Sequence, residues 1–123
     1  MQFDEFITRV QEQARLDTPE EAITLTRAVL ETVGERLDRK VRNGLEAQLP
    51  NELKEFLLVR HERSDQYDLE EFYNRIGARA DLKYEEATQR TRQVLAVLRE
   101  AVPGGELEDL REDLPPEYQE LFA

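Results

Sequence analysis

The side chains able to do chemistry in this 123-residue chain are few and scattered. His61 is the single histidine, set among Arg60, Glu62 and Arg63 in a polar stretch. Nucleophilic catalysis needs a base held against Ser, Thr or Cys, and a lone histidine among charges reads as a solvated loop residue. One histidine also cannot supply the paired Glu-x-x-His ligands of a di-iron bundle. No acids alternate up to a glycine and a closing glutamate, as an EF-hand loop requires. Gly104-Gly105 follow Pro103 and read as a turn, without the spacing of a phosphate-binding loop. Cysteine is absent, which removes thiolate chemistry, disulfides and zinc–thiolate sites. Paired carboxylates for glycoside-type acid–base work carry no signal in a chain with 28 acids. No catalytic, metal or cofactor residue is therefore expected, beyond unspecific surface binding of Mg²⁺ or Ca²⁺.

Two pairs of arginines stand out because they recur at matching helical positions, Arg9 with Arg75 and Arg27 with Arg92. An arginine beside a buried stripe covers the core edge with its stem and pairs its head with a neighbouring glutamate. The alternative for these four is anion binding. The aromatics Phe3, Phe6, Phe56, Tyr67, Phe72, Tyr73, Tyr84, Tyr118 and Phe122 mostly fall on the same stripes. Without interleaved basic residues they read as core rather than as nucleobase platforms.

The elements that carry these residues are written twice. Residues 3–57 and 69–122 superimpose in sequence with one residue dropped near position 19. Phe3, Phe6, Ile7, Val10 and Ala14 recur as Leu69, Phe72, Tyr73, Ile76 and Ala80. Glu20-Glu21-Ala22 recurs as Glu85-Glu86-Ala87, Thr26-Arg27 as Thr91-Arg92, and Leu49-Pro50 as Leu114-Pro115. The apolar residues fall three, four, seven and eleven apart, the signature of an amphipathic helix. Thr18-Pro19-Glu20-Glu21 predicts a helix start, with Thr18 as N-cap, Pro19 first and Glu21 closing a capping box. Asp68 and Glu71 predict a second such box. Ala22, Thr26, Val29, Leu30, Val33 and Leu37 form the inner side of the second helix. Breaks follow at Asp38 and at Pro103-Gly104-Gly105, then short helices with Val41, Leu45 and Leu49, or Leu107, Leu110 and Leu114. Pro50 and Pro115-Pro116 open a last turn with Leu53, Phe56 and Leu57, or Tyr118, Leu121 and Phe122. No alternating segment predicts a strand. The expectation is an all-α helical bundle of two pseudo-symmetric repeats, each of about four helices, two longer and two shorter. It forms a single domain, 1–123, with repeats at about 1–58 and 67–123 joined by a polar loop, 59–66. Each half alone is near the size at which domains become marginal, so the halves are expected to share a core.

Apolar residues make up 39% of the chain and charged residues 37%, so a heavily solvated globule is expected. The first residues, Met1-Gln2-Phe3-Asp4-Glu5, lack a basic region and an apolar run, so no signal peptide is expected. No apolar stretch approaches the roughly 20 residues of a membrane span. A net charge of −11 disfavours nucleic acid and anionic membranes, whose binding depends on Lys and Arg. A cytoplasmic location is expected.

The copies diverge most in charge. Residues 39–55 carry Arg39, Lys40, Arg42 and Lys54 against three acids, a net of +1. The matching residues 104–120 carry Glu106, Glu108, Asp109, Glu112, Asp113, Glu117 and Glu120 against Arg111 alone, a net of −6. The seven acids are the candidate partner-binding face. A basic protein, a peptide, or the Arg39–Arg42 region of a second copy would complement it, unless the acids only keep the surface soluble.

Several segments resemble a known family. Asp/Glu-Glu-Phe-x-x-Arg-Val/Ile occurs at Asp4 to Val10 and Glu70 to Ile76. Thr-Arg-x-Val-Leu occurs at Thr26 to Leu30 and Thr91 to Leu95, and Leu-Pro-x-Glu-Leu/Tyr at Leu49 to Leu53 and Leu114 to Tyr118. With the terminal Glu120-Leu121-Phe122, the chain resembles the family catalogued as domain of unknown function 2267 (DUF2267), over essentially its whole length. The resemblance implies a small, all-helical, prokaryotic, cytoplasmic protein with no assigned activity, and it supplies no catalytic residues. The functional expectation is a non-enzymatic interaction module using the acidic face or the groove between repeats. The alternative is an enzyme, or a binder of a small molecule or divalent metal, with a carboxylate-lined pocket between repeats. Nucleic-acid or membrane association would need the basic run Arg36–Arg42.

Overall fold

The computed structural model describes residues 1–58 and 66–123, so His61 and most of the polar loop at 59–66 lie outside the described residues. Seven α-helices and a terminal 3-10 helix account for most of the rest, and no strand occurs among the described residues. They are α1 (Phe3–Ala14), α2 (Pro19–Arg36), α3 (Arg39–Glu46), α4 (Asn51–Leu57), α5 (Leu69–Ala80), α6 (Tyr84–Ala101) and α7 (Gly104–Asp113). The 3-10 helix is Pro116–Phe122. α1 and α5 each have 12 residues, and α2 and α6 each have 18.

Local chemistry sets these boundaries. The Thr18 hydroxyl accepts a hydrogen bond from Glu21 N–H at 3.2 Å, and Pro19, lacking an N–H, opens α2 where none is needed. Asp68 accepts from Glu71 N–H at 2.9 Å in the same way. The return half of that capping box is absent, because the Glu71 carboxylate instead takes Arg75 Nε at 2.9 Å. Pro103 ends α6, and Gly104-Gly105, expected in the turn itself, form the first residues of α7. A helix start leaves its first N–H groups free, so glycines cost less there than in mid-helix.

α2 and α6 form the centre. α1 packs on both, as does α5, while α4 covers α2 and the 3-10 helix covers α6. α3 lies against α7. Phe6, Val10, Ala22, Val29, Leu30, Leu45, Leu53, Phe72, Ile76, Ala87, Val94, Leu98, Leu110 and Tyr118 belong to a single buried apolar cluster. The stripe predicted on α2 is too narrow. Leu25, Ala28 and Thr32 are buried as well, because α2 has neighbours on several sides rather than one. Most of the aromatics are buried or half-buried, but Tyr84 is 42% exposed, edge-to-face with Tyr73 at a centroid distance of 5.7 Å.

α1 and α5 both end in a left-handed residue that is not glycine, Arg15 at φ 54° and Asp81 at φ 56°. The left-handed conformation costs roughly 1–2 kcal/mol for a residue with a Cβ, less for Asp, whose short polar side chain tolerates it. Arg15→Gly is therefore expected to stabilise the protein by about 1 kcal/mol after the glycine's entropic cost, and Asp81→Gly by less. Urea denaturation midpoints check both. A lower midpoint for Arg15→Gly would mean that the exposed arginine makes contacts outweighing its backbone strain.

Candidate functional site

The acidic segment is positioned by two helices that pack start to end, the end of α3 against the start of α7 and the start of α3 beside the end of α7. Arg42 fixes α3: its guanidinium is buried and donates through Nη1 to the carbonyls of Gly34 and Leu37, both at 3.3 Å, closing the end of α2. Gly44 leaves room for a side chain of α7. A Cβ there would lie 2.6 Å from Glu106 Oε2, so glycine opens the space this carboxylate occupies. At the far end of α7, Asp113 Oδ2 accepts a hydrogen bond from Asp38 N–H at 2.9 Å, tying α7 to the α2–α3 turn.

The result is a trough of about 500 Å³ between α3 and α7, lined by Lys40, Val41 and Gly44 on one wall and Glu106, Asp109, Glu112 and Asp113 on the other. Glu112 and Asp113 also border a second hollow of about 380 Å³, completed by Arg36, Asp38, Gln66, Pro115 and Pro116. These two acids form the ridge between hollows. Burial pushes the Asp113 carboxyl above the usual carboxylate range. The Asp38 N–H pulls the other way, and the Asp38 carboxyl adds to the rise.

The seven candidate acids thus divide. Glu106, Asp109, Glu112 and Asp113 come together in the trough. Glu108 is exposed and 3.7 Å from Arg111. Glu117 turns away to accept the Leu69 N–H at the start of α5. Glu120 accepts from the Tyr73 hydroxyl and from Arg92 Nη2, each at 2.8 Å, and these bonds hold its carboxyl below the ordinary value. Glu106, Asp109 and Glu112 form no ion pair with a described residue.

The recurring arginines are occupied by structure. Arg9 meets Glu100 through Nε at 3.1 Å and Nη2 at 2.8 Å, and Glu12 through Nη1 at 3.1 Å. Arg75 pairs with Glu71, lies 3.6 Å from Glu35, and covers the Tyr67 ring at 4.0 Å. Arg92 pairs with Glu120, while Arg27 lies over the Phe56 ring at 5.1 Å. Arg9, Arg75 and Arg92 follow the stem-and-pair pattern, Arg27 covers a ring instead, and the four do not converge on an anion site.

A polar cluster around Tyr67 was not foreseen from the sequence. The Tyr67 hydroxyl donates to the Thr32 carbonyl at 3.0 Å and toward Glu35 at 3.3 Å. Arg79 grips Glu35 with two bonds of 2.9 and 2.7 Å. Burial works to raise the Glu35 carboxyl, but Arg79, Tyr67 and Arg75 outweigh it and hold the group below its ordinary value. The signal available was Arg36, which falls in step with Val29 and Val33 on the apolar stripe. It is buried, donates to the Tyr67 carbonyl at 3.1 Å, and stacks on Tyr118 at 5.2 Å.

Among the described residues no group of three or more His, Asp or Glu side chains is placed to hold a metal ion. The family model described as uncharacterized conserved protein, DUF2267, matches residues 3–121. No curated protein matches the sequence.

Proposed function

We propose that this chain, which belongs to the DUF2267 family, is a protein-interaction module that seats a basic segment of a partner protein in the trough between α3 and α7. One observation carries the reading. Glu106, Asp109 and Glu112 line a hollow beside the half-buried Asp113 with Lys40 as the facing cation. The neighbouring acids Glu108, Glu117 and Glu120 already have partners. Carboxylates crowded on one wall repel one another, and a docked Lys or Arg relieves that repulsion while the net charge of −11 steers its approach.

The fold suits this role as one domain of two repeats, 1–123. Arg9 and Arg75 are matching residues, and so are Glu35 and Glu100. Arg9 of α1 meets Glu100 of α6, and Arg75 of α5 lies near Glu35 of α2. Reciprocal contacts of this kind are those of a twofold arrangement, and the trough sits where the matching helices α3 and α7 meet. Self-association through Arg39–Arg42 is less favoured, since Arg42 is buried and Lys40 already faces the trough. The same burial of Arg36 and Arg42 weakens nucleic-acid binding, leaving Arg39 and Lys40 as the exposed cations of that run. No helix among the described residues is long and apolar enough to cross a membrane. A cytoplasmic setting accords with the absence of cysteine.

The enzyme alternative rests on the same trough, and the raised Asp113 carboxyl is the feature that favours it. Its immediate partners are the Asp38 backbone and a second carboxyl rather than a nucleophile, so binding is the better supported use. A titration of the isotope-labelled protein with a short Lys/Arg-rich peptide, followed by amide shifts, tests the proposal. Shifts at Lys40, Gly44, Asp109 and Glu112 are expected, fading as salt rises. They should vanish in the folded variant Glu106→Gln, Asp109→Asn, Glu112→Gln, Asp113→Asn. Equal shifts in that variant, or shifts spread over every acidic helix, would sink the reading.

A further inference from the structure

A third hollow shares no residue with the trough. It has a volume of about 280 Å³ between the first two turns of α2, the end of α5 and the first half of α6, and its apolar lining is Leu16, Leu25, Ala80 and Leu82. The two left-handed turns build it. Arg15 and Asp81 reverse the chain after α1 and α5. The next N–H groups, of Leu16 and Leu82, then bond back to Gln11 at 2.9 Å and Gly77 at 2.8 Å. These bonds fix both leucines in place although both remain half-exposed.

The rim decides what fits. Glu20 and Glu21 border the hollow from α2, and Arg90 from α6. Arg90 is turned to the Ala14 carbonyl at the end of α1 and to Gln93 Oε1. Glu20 and Glu21 form no ion pair with a described residue. Bonds to neutral groups leave Arg90 charged, so the rim sets two carboxylates against one guanidinium and is negative by about one unit. The positive end of α2 adds about half a unit charge to that of Arg90, and the two carboxylates still outweigh both. At the roughly 30 Å³ that a water takes up in the liquid, the hollow holds on the order of ten non-hydrogen atoms.

We infer that this hollow binds small amphipathic monoamines, with the ammonium between Glu20 and Glu21 and the hydrocarbon body on Leu16, Leu25, Ala80 and Leu82. The pattern is that of a small-molecule site, an apolar surface with few polar groups to orient the ligand. It is independent of the trough and of what docks there.

Three near-isosteric probes test it on the full chain, namely phenethylamine, 2-phenylethanol and phenylacetate. Calorimetry, with amide shifts to locate the site, should show phenethylamine binding at least about tenfold tighter than the alcohol, as one charge-assisted hydrogen bond would give. Shifts should centre on Leu16, Leu25 and Leu82. In the double variant Glu20→Gln, Glu21→Gln, whose changes are on the surface, the amine should fall to the alcohol's affinity. Equal affinity of amine and alcohol in the unmodified protein, preference for phenylacetate, or no saturable binding of any probe would overturn the assignment.

Discussion

Ala22→Asp and Ala87→Asp are each expected to cost more than about 4 kcal/mol, a large share of the 5–15 kcal/mol that holds a domain of this size together. Both alanines have no exposed surface. Ala22 lies in the first turns of α2 and Ala87 at the matching place in α6. Ala87 faces the bare Cα of Gly77. A Cβ built on Gly77 would stand 3.7 Å from its methyl, and the same Cβ would stand 2.8 Å from the Leu82 carbonyl oxygen. A carboxylate introduced there would be buried without a donor. Protonating it to escape the charge costs free energy too, because its proton affinity must rise by several pH units. Loss of the helical signal, or melting far below that of the unmodified chain, is expected for both variants by circular dichroism. Near-native melting of either one would show that the helix is rotated away from the orientation described above.

That these alanines could be chosen from sequence shows how much was legible. Apolar spacing locates the inward face of a helix that is buried along one side only, as it did for α1 and α5. It underestimates α2, where Leu25, Ala28 and Thr32 are also covered. The chemistry of helix starts was readable at Thr18 and Asp68, since a cap is a local event three residues long. Glu71 shows the limit, because a carboxylate that could close a box was taken by an arginine one turn on.

The acidic segment was legible as a composition and not as a surface. Charge counting marks residues 104–120, but only packing tells Glu117 and Glu120, spent on Leu69, Tyr73 and Arg92, from the four acids in the trough. Burial of Arg36 and Arg42 was harder still. Nothing local announces that an arginine will close the end of the preceding helix or lie on a tyrosine 82 positions away. Such residues satisfy carbonyls that the fold creates, and those carbonyls have no sequence signature.

Tyr118→Ala is expected to cost about 3–5 kcal/mol, and Tyr118→Phe only about 1 kcal/mol. The ring is fully buried and packs edge-on against Phe72 with centroids 5.3 Å apart, while Arg36 lies over it at 5.2 Å. Truncation to alanine opens a cavity and removes both contacts at once. The hydroxyl does less. It donates to the Tyr67 carbonyl at 2.6 Å, but that oxygen also accepts Arg36 Nε at 3.1 Å, so phenylalanine leaves no orphaned acceptor. Urea denaturation with the slope compared across variants would separate the two. Equal losses would mean that the hydroxyl bond, rather than the ring, fastens residues 66–68 to the 3-10 helix. The difference also bears on function. Pro115 and Pro116, separated from Tyr118 by Glu117 alone, wall the hollow beside Glu112 and Asp113. If the trough is the docking site, Tyr118→Phe should leave peptide binding intact, whereas Tyr118→Ala should weaken it at temperatures where the protein is still folded, because the ring that anchors the segment behind the shared ridge of Glu112 and Asp113 is gone.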